Sequence, residues 1–458
     1  MTDPLACGHD APPAGPAVCA HVWEAATTTP DARMPLVRCY LGRGLDQVVT
    51  CEPCAAAFES GGDVPAVRVC EACGVVVRRF GGADRNAGSP VPLERPEPFD
   101  ATVRTVAVDG LPADLLDLGC ADDTGRWYGL CADGTLAELD GWSVARIVAT
   151  GAIVDEVPKE ERPRQLPRPR LHVAPGGGYA AVVNDFGTRG RVVALADGSV
   201  AMPLDALHAK HRVVPFSLAF ARAGGRDVVV HATDWNRLDV SDPAPGALLT
   251  ARESPTYVRG QERAEHYLDY FHGALHASPD GRWVLDDGWI WSPYGCPSLW
   301  SVERWVEDDP WESEDGASKR LLTDRDQWDV AMCWLDDRYV AIALVNDDDE
   351  TFVDGARVFD ARGHDVSVDP RTGNRWCREV ATFAGPGREA FFGDGSRLYA
   401  VDDDGLSVWD VRTGERTGRI DGFRPTRQSR SRGELVEARP REVAVWRYAA
   451  AFGEASGG

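Results

Sequence analysis

From about residue 101 onward, apolar and polar positions alternate in short runs. The runs are separated by Asp-Gly, Gly-Gly and Asp-Asp turns. A period near two over a few residues is the pattern of a half-buried strand, and no long 3.6-residue period interrupts it. The expected fold class is all-β across residues 101–450. One unit recurs: a turn, a bulky residue, then an apolar strand. It stands at 122–130, 175–183, 224–230, 278–285, 335–342 and 393–401. With Trp127, Tyr179, Asp227, Trp283, Tyr339 and Leu398 as markers, the intervals are 52, 48, 56, 56 and 59 residues. That is slightly long for a four-stranded blade of roughly 40–50 residues, so enlarged loops are expected. A shorter piece at 433–448 holds two or three strands, and the run 102–108 is a strand without an obvious partner. Pairing the two would complete the last unit and close a ring, which removes exposed sheet edges. The count is then about seven units.

Two of these units carry a family likeness. Residues 400–418, with the dipeptide Trp409-Asp410, resemble the third-to-fourth strand hairpin of a WD40 blade. Residues 273–291 resemble the first two strands of the same blade type. Most repeats lack the Gly-His opening and the Asp–His–Ser/Thr–Trp bonding network of regular WD40 arrays. The chain is therefore similar to a WD40-like or quinoprotein-like β-propeller over roughly residues 102–448. That resemblance implies about seven blades and a large, rigid loop surface suited to holding a partner.

The first 73 residues have a different texture. They contain seven of the twelve cysteines, arranged with two histidines as Cys7/His9, Cys19/His21, Cys39, Cys51/Cys54 and Cys70/Cys73. Two Cys-x2-Cys pairs separated by fifteen residues fit a four-thiolate zinc site, because each pair places two thiolates on one tight turn. Cys51, Cys54, Cys70 and Cys73 are the expected first ion site. Cys7, His9, Cys19 and His21 form a candidate second site, with Cys39 either replacing a histidine or joining the Cys51/Cys54 turn in a regrouped set. Four thiolates without a spare carboxylate suggest a closed structural zinc. So short a segment buries little apolar surface, so the metal would supply its folding energy. Loosely, the module resembles a treble-clef or ubiquitin-protease-type zinc finger. The expected organisation is a metal module over 1–82, a Pro-rich linker over 83–100, the propeller over 101–450 and a disordered tail over 451–458.

Charge narrows the partners. A net charge of −23 disfavours binding to nucleic acid and to anionic membranes. The first 98 residues hold eight Arg against twelve Asp or Glu, so the metal module is acidic too. No stretch approaches the apolar length of a membrane span, and the start shows no signal-peptide pattern. Clustered cysteines without an export signal favour thiolate–metal chemistry over disulfides and point to the cytoplasm. Lysine occurs only at Lys159, Lys210 and Lys319, which reads as a GC-rich genome rather than as function.

Other candidates are weaker. The acidic runs 347–350 and 402–404 read as solvated hairpin turns rather than calcium sites. His266, His272 and His276, with Asp269, are a conceivable channel site, against the simpler reading of an edge-loop histidine and a buried turn-bonded one. The glycines at 176–178 precede no helix, so they are no phosphate loop. The polar loop 303–317 carries Trp305 and Trp311 beside acidic groups, a candidate hot spot for a basic protein partner, against the equal reading that both rings fold back onto the sheet. The expected role is a non-catalytic interaction scaffold, propeller face plus zinc module. The alternative is a propeller hydrolase, lyase or redox enzyme with its site in the central channel.

Overall fold

The computed structural model describes residues 17–28, 36–40, 47–51, 53–54, 66–68, 95, 99–156, 166–206, 214–253, 255, 260, 262–291, 294–325, 327–346, 352–364, 366–370 and 372–451. The protein is all-β, with short helices at Ala20–Thr28, Val302–Glu307 and Tyr448–Ala451 among the described residues. Among the described residues, no helix is long and apolar enough to cross a membrane.

The N-terminal region contains a small four-stranded sheet. Strand Ala17–Cys19 lies between Gln47–Cys51, to which it is parallel, and Ala66–Arg68, to which it is antiparallel. Leu36–Tyr40 flanks the other side of Gln47–Cys51.

After residue 100 the strands group into four-stranded antiparallel sheets in a propeller-like succession. Their first strands are Leu115–Ala121, Arg168–Val173, Leu218–Ala223, Leu275–Ala277, Met332–Trp334, Ala390–Gly393 and Arg427–Ser429. Within the first six of these sheets the strands follow one another in sequence order. A parallel bridge, Leu321 opposite Trp376, joins the sheets that start at Leu275 and Met332. Second strands such as Tyr179–Asp185 are buried almost throughout, because neighbouring sheets cover both of their faces. They therefore read as near-continuous apolar runs. The outermost strands alternate; Val200 and Val368 remain exposed. Tight turns connect the strands. At Ser278–Gly281 the turn needs φ of +73° at Gly281, a conformation that costs glycine nothing, and Ser278 Oγ lies 2.6 Å from Asp280.

The last sheet is completed by the first strand after the linker. Arg104–Ala107 pairs with Glu442–Arg447, so the first and last strands after residue 100 share one sheet. Trp446 donates from Nε1 to the Asp100 carbonyl at 2.7 Å, and its ring meets Phe99 edge-on. Arg95, within the Pro-rich stretch, bonds Asp410 at 3.2 Å, so the end of the linker is docked onto the adjoining sheet.

All seven of those first strands contribute to the wall of one cavity of about 480 Å³. Asp117 fastens the wall where the ring closes. It accepts from Leu118 N and Leu171 N, each at 2.8 Å, and takes both carboxylate oxygens to Arg427. One carboxylate thus ties three successive sheets.

Candidate functional sites

The metal candidate is built by strand register. The parallel pairing of Val18 with Val49 carries Cys19, at the end of its strand, alongside Cys51, at the end of the neighbouring one. The helix Ala20–Thr28 begins at once and brings His21 to the same place. Cys54 follows on the turn after Cys51. The four donor atoms of Cys19, His21, Cys51 and Cys54 lie within 4.8 Å of one another. Cys19 Sγ is 4.0 Å from Cys51 Sγ, far too long for a disulfide of about 2.05 Å. It suits the edge of a tetrahedron with Zn–S near 2.3 Å. His21 Nδ1 is 3.2 Å from Cys54 Sγ.

The three cysteines are buried and His21 is exposed. Burial, together with the Cys51 and Cys19 sulfurs, pushes the Cys54 thiol up to about 12. A shared cation would reverse that, since a metal-bound thiol is deprotonated. Three thiolates and one imidazole, with no carboxylate, fit a closed zinc site.

This set differs from the expected grouping. The structure joins the Cys51/Cys54 turn to Cys19 and His21, because the parallel strand pair places their ends side by side. Spacing alone had paired that turn with Cys70 and Cys73. Cys7, His9, Cys70 and Cys73 lie outside the described residues. Cys39 sits in strand Leu36–Tyr40, opposite Val48 in the pairing.

The tryptophan hot spot is corrected. Trp305 is only 1% exposed, since residues Val302–Glu307 form a helix that turns its ring inward against Trp300. Its Nε1 donates to the Pro310 carbonyl at 3.0 Å. Trp311 is half-buried, stacked on His266 at 4.5 Å and facing the Arg252 guanidinium at 5.3 Å. The polar residues around both rings cap a folded loop rather than frame an exposed surface. Glu312, for example, is fully buried.

An aromatic cluster that the sequence reading missed lies elsewhere. Trp235, Phe271, Trp289 and Trp328 form a continuous series with centroid separations of 5.3, 4.3 and 4.8 Å. Trp235 and Trp328 are half-buried, while Ile290 and Tyr294 on the adjoining hairpin are 38% and 55% exposed. Trp328 precedes Asp329, and Trp289 follows Asp287 by two residues; both aspartates line the central cavity. The series therefore borders the cavity mouth. The closely spaced Trp289 and Trp291 beside a turn were the available signal. Asp329 and Phe186 hold φ of +55° and +60°, conformations that cost non-glycine residues about 1–3 kcal/mol each and cluster at functional sites. Desolvation by the surrounding wall, then the Asp287 and Asp185 carboxylates, raises the carboxyl of the exposed Asp329 to about 6.

The histidines separate. His272 is the buried turn-bonded one: its Nδ1 lies 2.6 Å from Asp286 Oδ2, while Gly273 N donates to Oδ1 of the same carboxylate at 3.0 Å. His266 bonds Asp315 at 2.8 Å. Asp269 pairs with Arg263 at 3.5 Å and does not join His272. His276 alone of the group lines the cavity. The run 347–350 lies outside the described residues. At 402–404, Asp402 accepts from Asp404 N and Gly405 N, each at 2.9 Å, and Arg419 faces both Asp402 and Asp404.

No known protein-family model matches the sequence, and no curated protein matches it either.

Proposed function

We propose that this protein is an interaction scaffold: a seven-bladed, WD40-like propeller preceded by a zinc-stabilised module, binding a basic protein partner on the cavity-mouth face. The observation that carries this reading is the aromatic series Trp235–Phe271–Trp289–Trp328 beside cavity-mouth carboxylates. Half-buried tryptophans flanked by an exposed Tyr294 resemble the anchors that dominate protein interfaces. The exposed Asp329, on a chain of net charge −23, favours a basic partner through complementarity and steering. The shared cavity wall and the pairing of first and last strands support the propeller reading.

The zinc module is the second contact. Two modest sites on one chain gain affinity through effective concentration. One zinc sits at Cys19, His21, Cys51 and Cys54. A second draws on Cys7, His9, Cys70, Cys73 and Cys39.

The test is affinity capture from cytosolic extract with full-length protein, compared with Trp328→Ala and Tyr294→Ala. A basic protein retained by wild type, weakened by both variants and by added salt, supports the reading. A partner retained equally by the variants would place the contact elsewhere.

A further inference from the structure

The cavity has a chemistry of its own, set by one strand. Along Arg168–Val173, alternation puts Arg168, Arg170 and His172 on one face and Leu171 on the other. Leu171 is 3% exposed and packs in the core between sheets. Arg170 and His172 line the cavity. From other strands, Arg427 and His276 line it too.

Several of these groups have unused capacity. Arg170 bonds Asp185 through a single nitrogen at 3.4 Å, which leaves most of its five donors for the cavity. Nε2 of His172 is buried with no hydrogen-bond partner among the described residues. A buried polar atom without a partner costs about 1–3 kcal/mol, so such an atom beside a cavity marks a place where something else binds. The charges lean the same way. Arg170 and Arg427 stand in the wall with His172, while the lining carboxylates Asp287 and Glu389 are already paired with Arg325 and Arg424. The volume of about 480 Å³ falls in the range of small-molecule sites, and the wall adds apolar area from Leu218, Met332 and Phe391.

We propose that the central cavity binds a small organic molecule carrying an oxyanion group, a carboxylate or a phosphate, held by the Arg170 guanidinium and the His172 imidazole. Arg170 offers the fork that planar oxyanions accept, and the Nε2–H tautomer of the neutral His172 ring would add a second, rigidly placed donor. This site does not depend on the partner-binding surface; the two share only the rim.

The experiment is isothermal titration of full-length protein with succinate, citrate and inorganic phosphate at matched ionic strength. The same titrations are run on Arg170→Gln, His172→Gln and, as a control away from the cavity, Arg441→Gln. Saturable binding of at least one probe is expected, weakened about tenfold or more in R170Q and in H172Q, as loss of one charge-assisted hydrogen bond implies. It should be unchanged in R441Q. Binding of phosphate alone identifies a phosphate ester as the ligand type, and binding of the carboxylates alone a carboxylic acid.

Because either variant could lose binding by unfolding, wild-type protein with 13C-labelled histidine is also titrated by NMR. The His172 and His276 signals should shift saturably while His266 stays. No saturable response to any probe overturns the proposal, as does binding that survives in both R170Q and H172Q.

Discussion

Removal of the Asp117 carboxylate tests whether one side chain ties the ring at its seam. Asp117 is 8% exposed and holds three partners on three sheets: its own Leu118 N, Leu171 N and Arg427. In Asp117→Ala, Arg427 loses its counter-charge while remaining largely buried, with a side chain 17% exposed. Stranding a buried partner of an ion pair costs about 3–5 kcal/mol, and each orphaned buried N–H about 1–3 kcal/mol. Arg427 borders the cavity, so water reaches the freed groups and the low end applies. The expected loss is about 5 kcal/mol. Asp117→Asn keeps an acceptor and should lose less. Replacing both partners, Asp117→Ala with Arg427→Met, removes the stranded charge and should recover much of that loss. The assay is urea unfolding followed by tryptophan fluorescence and circular dichroism, comparing midpoints at equal slope. A loss under about 1 kcal/mol in Asp117→Ala would refute the reasoning. So would a double variant as unstable as the sum of the two single ones.

Other outcomes follow from the same geometry. Cys54→Ser should lower the zinc content by one ion per chain, measured by elemental analysis, and cobalt-substituted wild type should show thiolate-to-metal absorption that the variant lacks. Burial, then the Arg170 charge, depresses His276 to about 4, with Asp286 opposing. The unfolded chain therefore binds the extra proton between its own pKa near 6.5 and 4, and stability falls as pH drops through that window. His276→Gln should flatten that slope, by up to about 3 kcal/mol across the window, read from urea midpoints at pH 7, 5.5 and 4.5. Deleting residues 1–108 removes the strand that pairs with Glu442–Arg447. The exposed edge should then drive self-association, seen as higher-mass species on gel filtration.

The sequence carried the sheets better than the sites, for a physical reason. Second strands buried on both faces declare themselves as apolar runs, as Tyr179–Asp185 does, and the turns between them need Asp and Gly. The repeat and the strand at 102–108 were legible on that basis. Arg168–Val173 was not, because a strand that lines a wet cavity reads Arg-Pro-Arg-Leu-His-Val and looks like the end of a charged, proline-rich loop. The residues that make it informative are the ones that hide it. Trp305 shows the converse. Its polar neighbours suggested exposure, yet Ser301 caps a short helix by accepting from Arg304 N and the ring turns inward. Local polarity reports what surrounds a side chain in sequence, while burial depends on which sheet it meets.

The metal ligands follow the same logic at longer range. The spacing within Cys51/Cys54 identified a two-thiolate turn, a local fact. Its companions were settled by a parallel strand pair between residues 17–19 and 47–51, which brings Cys19 and His21 across more than thirty residues of chain. Parallel pairing leaves little local signature, because the two strands need not be joined by a turn. A site built across such a pair therefore shows its half-sites in the sequence and its grouping only in the fold. That same grouping would make a bound zinc a fold-specific clamp. It would bond the ends of two strands that no turn holds together, so its removal should open the N-terminal sheet before it affects the sheets after residue 100.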